Sequence, residues 1–172
     1  MGSQAGFDLS LSDDELEDRR EHITRFIADT VEGAGADGAI IGLSGGIDST
    51  TTGHLAVEAL GADRVHGLLM PSTANDPSDV ADAERVATTL GIPYEVIEIE
   101  PIVEAVVEAY PAGVDDRLAV GNVRVRTRMV LAYFAANHQT KLVLGTGNRT
   151  EALVGYFTKW GDGAVDCHPI GN

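Results

Sequence analysis

Two lysines, one cysteine and one tryptophan are all that the 172 residues hold of those types, and aromatic residues make up only 5%. A lone cysteine, Cys167, cannot form a disulfide within the chain and fits a reducing compartment, so a cytoplasmic setting is expected. No apolar run approaches the ~18 residues of a membrane span, and no membrane partner is expected. Met1 to Gly6 lacks the basic region and apolar stretch of a secretory signal, and Gly6 stands where a myristoylation motif requires Ser or Thr. His22, His54, His66 and His138 fall on separate predicted elements without metal-ligand spacing. No internal repeat or low-complexity linker breaks the chain. What remains is an ordinary folded composition, 44% hydrophobic and 23% charged, long enough for one domain and too short for two.

Positive charge is scarce and unevenly placed. The net charge is −15, yet residues 1–120 carry −18 and residues 121–172 carry +3. The basic end holds Arg124, Arg126, Arg128, Lys141, Arg149 and Lys159. An acidic shell with so few lysines is the habit of proteins from salt-rich cytoplasm, where screening relieves self-repulsion. A basic segment inside it points to an anionic ligand, or else to an ion-pair cluster. Nucleic acid is not expected as a partner, because the acidic remainder would repel a polyanion.

Strand and helix signals alternate. Ser12-Asp13-Asp14-Glu15 reads as a capping box, with Leu16, Ile23, Phe26, Ile27 and Val31 at helical spacing behind it and an end near Gly33. Gly38 to Leu43 is a short apolar run fit for a strand buried on both faces. Helices are expected at Ser49–Leu60, Ser78–Leu90, Pro101–Tyr110 and from about Arg117 to Asn137. Further strands are expected at Val65–Met70, Tyr94–Ile99 and Leu142–Leu144. This alternation means right-handed βαβ units: an α/β fold, a doubly wound parallel sheet flanked by helices. Ligands of such sheets bind beyond the carboxyl ends of the strands, here just after Leu43, Met70 and Leu144.

The first strand runs into Ser44-Gly45-Gly46-Ile47-Asp48-Ser49 and straight into a helix. Two glycines let backbone N–H groups approach a ligand, the helix N-terminus adds partial positive charge, and the two serine hydroxyls add donors. This suits a phosphate or pyrophosphate. Asp48 makes sense beside an anion only if Mg²⁺ sits between them. Neither a Walker A ending nor dinucleotide-fingerprint spacing is present. Cys167-His168 could suggest a nucleophile and base, but chain neighbours rarely reach reactive geometry and no orienting residue accompanies them, so both are read as packing residues or as supports behind the residues of a site. Asn75, Asp76 and Asp79 are read as turn and cap residues. On the helix from Arg117, the three arginines place Arg124 and Arg128 on one side and Arg126 roughly opposite.

The Ser-Gly-Gly-x-Asp-Ser string resembles the pyrophosphate loop of the N-type ATP pyrophosphatases, which implies an adenine-nucleotide α-hydrolase-like fold. Gly121-Asn122-Val123-Arg124-Val125-Arg126-Thr127-Arg128-Met129 is similar to the Gly-Asn-x-x-Ala-Arg-x-Arg-Met segment of NAD synthetases. Gly155-Tyr156-Phe157-Thr158-Lys159-Trp160-Gly161-Asp162-Gly163-Ala164-Val165-Asp166 resembles their Gly-Phe-Phe-Thr-Lys-Tyr-Gly-Asp-Gly-x-x-Asp stretch, with Trp160 where Tyr is usual. The resemblance to the ammonia-dependent NAD synthetases implies ATP along Gly42, Leu43, Ser44, Gly45, Gly46, Ile47, Asp48 and Ser49, with Thr146 also on ATP. It implies Mg²⁺ on Asp48 and Glu151, and deamido-NAD on Arg126, Lys159 and Asp166. It leaves Arg124, Arg128, Cys167 and His168 without roles and implies no covalent protein nucleophile.

The activity so implied is a ligase reaction: deamido-NAD is adenylated by ATP, then amidated by ammonia, releasing AMP and pyrophosphate. A homodimer with the deamido-NAD site near its interface is implied as well. The rival readings are another member of the superfamily, GMP-synthetase-like or tRNA-modifying, and a non-catalytic nucleotide-binding module. Family members continue beyond the equivalent of Asn172, so the chain is expected to lack its C-terminal part and to be inactive or weak alone. The acidic shell predicts that the melting temperature rises as KCl is added; a melting series flat across KCl would refute that reading.

Overall fold

The computed structural model describes residues 10–171. The Met1 to Gly6 segment and the terminal Asn172 discussed above lie outside the described residues.

Helix α1 runs Asp13–Gly33 behind the capping box read from the sequence: Ser12 accepts from the Glu15 N–H and the Glu15 carboxylate accepts from the Ser12 N–H. Ile27 and Val31 are buried, whereas Leu16 is half exposed, because the first turn precedes the part of α1 that meets the core. Strand β1, Gly38–Gly42, leads through the glycine loop into α2, Ile47–Leu60. Strand β2 is Val65–Leu69, α3 Pro77–Leu90, β3 Tyr94–Val96 and α4 Glu100–Ala109. The long helix α5 spans Arg117–Gln139, capped by Asp116, whose carboxylate accepts from the Leu118 and Ala119 N–H groups. Strand β4, Lys141–Leu144, closes the alternation, and a short helix α6, Arg149–Val154, follows.

The four strands pair in the order β3-β2-β1-β4, all parallel. β1 is central, with Ala39 opposite Val65 on one side and Leu142 on the other. Alternate residues of β1 serve opposite faces. Ala39 and Ile41 join Ile27, Val31, Ala56 and Ala87 under α1, α2 and α3. Ile40 joins Leu68, Ile99, Val103, Ala132 and Val143 under α4 and α5. The sheet is therefore doubly wound, and the chain reverses direction across it between β1 and β4, where such sheets open a crevice.

Three strands are shorter than their apolar runs. β1 and β2 end at Gly42 and Leu69, although the Leu43 N–H still donates to the Leu68 carbonyl at 2.9 Å. β3 keeps bonding to β2 beyond Val96, with Ile97 donating to the Leu69 carbonyl at 2.8 Å and Ile99 to the Pro71 carbonyl at 3.0 Å. Pro71 has no N–H to return, so the ladder ends there. β3 is also exposed at all three residues, as an edge strand. Beyond β4, Asp166 donates its N–H to Val143 and Gly145 donates to Cys167, so residues 166–167 lie beside β4 as a rudimentary fifth strand that the sequence pattern did not suggest.

Gly38 opens β1 against the neighbouring turn. A Cβ there would stand 2.0 Å from the Arg64 carbonyl oxygen, a backbone atom that cannot step aside. Gly33, at the end of α1, has open space around it. Gly38→Ala should therefore cost at least about 2 kcal/mol, and Gly33→Ala should add about 0.5–1 kcal/mol. Denaturant unfolding of the two variants checks both signs.

Candidate active site

The phosphate-type loop folds through its own hydroxyls. The Ser44 N–H lies 3.3 Å from Ser49 Oγ, the two hydroxyl oxygens are 3.2 Å apart, and Ser49 donates to the Gly46 carbonyl at 3.0 Å. Ser44 Oγ accepts from the Gly46 N–H at 3.3 Å. Ser49 is buried and its hydroxyl serves the loop, while Ser44 lines the cleft beyond it. Gly45 has φ of +80°, and a Cβ would meet the Asp79 carbonyl at 2.8 Å and Asp82 Cβ at 3.0 Å. Glycine is required there twice, for its backbone angle and for the close packing of the loop on α3. Ile47 projects into solvent, 81% exposed, and Gly46 begins α2 with no side-chain cap, leaving the N-terminal amides of the helix open.

Opposite this loop, Asn148 caps α6. Its side chain accepts from the Glu151 N–H at 3.0 Å, and Glu151 Oε2 accepts from the Asn148 N–H at 3.1 Å. The same Asn148 donates its side-chain amide to Asp48 Oδ2 at 3.4 Å. The loops after β1 and β4 thus bring Asp48 and Glu151 to a single residue, 100 positions along the chain from one of them. Asn148 was not singled out in the sequence, although Asn-x-x-Glu is itself a capping-box signal. Among the described residues no three His, Cys, Asp or Glu side chains cluster to hold a metal. Two carboxylates at a phosphate loop fit Mg²⁺, which takes one or two carboxylates and leaves its other positions to water and phosphate oxygens.

Between these loops lies a cleft of about 350 Å³ at the carboxyl ends of β1, β2 and β4. Its walls include Gly42 and Leu43, Met70 and Pro71, Val125 and Met129 of α5, and Gly145 and Thr146. It is largely apolar with polar groups at the rim, the build of a small-molecule site. Thr146 lines this cleft together with Ser44 of the glycine loop.

Arg124, Arg126 and Arg128 of α5 divide as their spacing implies. Arg124 makes a two-point ion pair with Glu100, at 2.6 and 3.1 Å, and this holds the Glu100 carboxyl below its ordinary value. Glu100 also accepts from the Thr73 N–H at 3.3 Å. Arg128 donates to the Met70 carbonyl at 2.9 Å and to Asn75 Oδ1 at 3.2 Å. Asn75 accepts from Ser72, and Asp76 caps α3 with Asp79 completing the box, so all three act as turn and cap residues.

On the other side, Arg126 donates from Nε and Nη2 to the Lys159 carbonyl, at 3.3 and 3.1 Å. Asn122 accepts from the Thr158 hydroxyl at 3.1 Å, and Asp162 accepts from the Thr158 N–H at 2.7 Å. These bonds fix a tight turn in which Trp160 adopts φ of +59°. A left-handed backbone on so bulky a residue costs of order 1–3 kcal/mol and persists only where its surroundings enforce it. Trp160 is 68% exposed, with the Lys159 ammonium 5.7 Å from the ring centroid. Gly161 lies so close to α5 that a Cβ would come within 2.7 Å of Val125.

Asp166 is placed differently from Lys159. Its carboxylate accepts from the Val143 N–H at 2.7 Å and from the Tyr133 hydroxyl at 3.2 Å, and among the described residues it forms no ion pair with Lys159. In this arrangement Asp166 fastens the rudimentary fifth strand to β4 and α5. Cys167 packs on the core beside Leu144, and the His168 ring lies over the backbone of Gly145 and Gly147, where a Cβ at either would be within 3.1 Å of Nδ1. The pair therefore acts in packing, as read from the sequence.

A four-stranded parallel sheet that delivers Ser-Gly-Gly-x-Asp-Ser from its central strand to a helix N-terminus has the adenine-nucleotide α-hydrolase-like fold. Within that class the chain belongs to the NAD synthase family, whose model matches residues 20–172. It is 56% identical over 165 residues to an NH(3)-dependent NAD(+) synthetase of Halobacterium salinarum, covering 96% of this chain and 62% of that one. A Methanosarcina mazei protein of the same description is 50% identical over 159 residues, covering 91% of this chain and 62% of that one. The chain thus spans about three fifths of the length of these curated relatives. Among solved structures it is similar to the NH3-dependent NAD synthetase from Campylobacter jejuni in complex with nitrate, with a TM-score of 0.87, 33% identity, and coverage of 95% of this chain and 69% of that one. An NMN synthetase from Francisella tularensis gives a TM-score of 0.87 at 34% identity, with coverage of 95% and 66%.

Burial, with the Asp166 charge adding to it, pushes the Cys167 thiol up to about 11. At pH 8 only about a thousandth would be thiolate. Iodoacetamide should alkylate native Cys167 about two orders of magnitude more slowly than the same thiol in guanidinium; equal rates would mean an accessible, activated cysteine.

Proposed function

We propose that the protein makes NAD by ATP-dependent amidation of deamido-NAD with ammonia, through an acyl-adenylate. The observation that carries this reading is the meeting of Asp48 and Glu151 at Asn148, next to the loop whose Ser44 lines a cleft that also takes in Thr146, Gly161 and Asp162. On this reading the glycine loop, the two carboxylates and the turn held by Arg126 are parts of one site.

The chemistry accounts for each part. A free carboxylate does not accept an amine, because its oxygen is too poor a leaving group. In the proposed reaction the nicotinate carboxylate attacks the α-phosphorus of ATP, and the bond to pyrophosphate breaks. Ammonia then adds to the acyl carbon, AMP leaves with the former carboxylate oxygen, and one proton is released. Adenosine would lie against the apolar walls formed by Leu43, Met70 and Met129. The amides of Gly45, Gly46 and the first turn of α2 would hold the phosphates that carry the growing negative charge. Mg²⁺ bound by Asp48 and Glu151 would supply charge neutralisation to the leaving pyrophosphate. Arg126 orients the Lys159 turn toward the substrate side, and no protein nucleophile takes part.

The finer expectations enter on the same footing. Leu118, Val130 and Phe134 form an exposed apolar stripe on α5 beside exposed Arg126, which supports a homodimer with the deamido-NAD site near its interface. Among the described residues no helix is long and apolar enough to cross a membrane, and a cytoplasmic enzyme is proposed. The similarity to an NMN synthetase supports a second reading, in which the amidated carboxylate belongs to a mononucleotide.

The test is an assay of the whole protein with ATP, ammonium and either deamido-NAD or nicotinate mononucleotide. AMP and NAD should appear in equal amounts from deamido-NAD, and Asp48→Asn or Glu151→Gln should lower the rate by about 10²–10³. Preference for the mononucleotide would favour the second reading. ATP binding without AMP formation would leave a nucleotide-binding module.

A further inference from the structure

Arg128 is the one arginine of the α5 group that faces the cleft, and it does so without a counterion. One turn earlier, Arg124 is neutralised by the Glu100 carboxylate. Arg128 has only neutral partners: the Met70 carbonyl at 2.9 Å, Asn75 Oδ1 at 3.2 Å and Ser72 Oγ at 3.4 Å. Those bonds use Nε and Nη2. Among the described residues Nη1 makes no hydrogen bond, and no carboxylate comes within ion-pair distance of the guanidinium. Asp79 and Asp162 line the same cleft, and Glu100 acts on Arg128 only at longer range. Partial burial together with the neighbouring Arg124 charge disfavours the cation, so its protonated state is held at a cost.

Clamping the loop after β2 explains the Nε and Nη2 contacts but not the charge. Holding a carbonyl, an amide and a hydroxyl needs donors, which a neutral side chain also offers. A half-buried guanidinium with two unspent N–H groups and no counterion is poised to receive an anion. The cleft it faces continues through Gly42, Leu43 and Ser44 into the phosphate loop. We infer that Arg128 is an anion contact of the nucleotide cleft, receiving an oxygen of the ATP phosphate chain on Nη1 while its other donors hold the Met70–Asn75 wall in place. This rests on the ATP reading above. It would make α5 a contributor of charge to the nucleotide through Arg128, in addition to its contacts with the substrate-side turn.

Calorimetric binding of ATP and of adenosine to the whole protein, at one fixed KCl concentration, separates charge from wall. Adenosine meets the same walls but brings no phosphate. In R128Q, ATP should bind at least tenfold more weakly while adenosine changes less than twofold, and R128K should restore ATP binding to within about threefold of wild type. Equal weakening of both ligands in R128Q would show a clamp alone and overturn the inference, as would unchanged ATP affinity. R128M serves as a second neutral variant, with melting curves and circular dichroism as the check on folding. If neither neutral variant folds, the guanidinium serves the fold and the inference fails. Absence of ATP binding to the wild type would instead overturn the ATP reading itself, and the two failures are told apart by that arm.

Discussion

Everything in this structure depends on β1 being hydrogen-bonded on both edges. The strand is five residues long, yet it pairs with β2 and β4, buries side chains on both faces and ends in the loop that defines the site. Its tolerance is small, because the Arg64 carbonyl presses against Gly38 and α3 presses against Gly45. Five residues carry so much because parallel pairing satisfies their backbone polar groups fully, while the apolar side chains remove area from water at roughly 25 cal/mol per Å² on either face. The phosphate loop is held at a fixed height above the sheet by the same two constraints that hold the strand.

The cleft is assembled from elements distant in sequence, and the connections between them are polar rather than apolar. Asn148 ties the loop after β4 to Asp48, Glu100 ties α5 to the loop after β2, and Arg126 ties α5 to the turn at Trp160. Each is a polar side chain that joins two elements. Such bonds suit a site that must be shaped without being filled, since apolar contacts strong enough to fix these loops would close the cleft.

How much of this could be read from the chain follows from what each signal encodes. Elements with caps and period were plain: Ser12 with Glu15 opens α1, the helix read from about Arg117 is α5, and the runs at Gly38 and Val65 form strands one residue shorter than read. Strand ends were not, because β3 stops where Pro71 fails to donate an N–H, a property of its neighbour and not of its own residues. The rudimentary strand at 166–167 was invisible for the same reason, being defined by its bonds to Val143 and Gly145. Motifs singled out the loop at 44–49, Thr146 and Glu151. Arg128 was visible as an arginine with the correct facing, but its lack of a counterion is a statement about surroundings that only three dimensions provide. Asp166 stands in the opposite position: the motif assigned it to substrate, and the structure engages both its oxygens with Val143 and Tyr133.

Helix α5 meets each part of the cleft along its length. Asn122, Val125 and Arg126 shape the turn that presents Lys159, while Arg128 and Met129, within one further turn of the same rod, form the wall of the nucleotide cleft. A helix does not stretch between neighbouring turns, so a shift imposed at one of these positions is transmitted to the other with little loss. The wall of the cleft and the posture of the Lys159 turn are therefore mechanically linked, and on the proposed reading any preference a nucleotide imposes on that turn would be returned in equal measure by thermodynamic reciprocity.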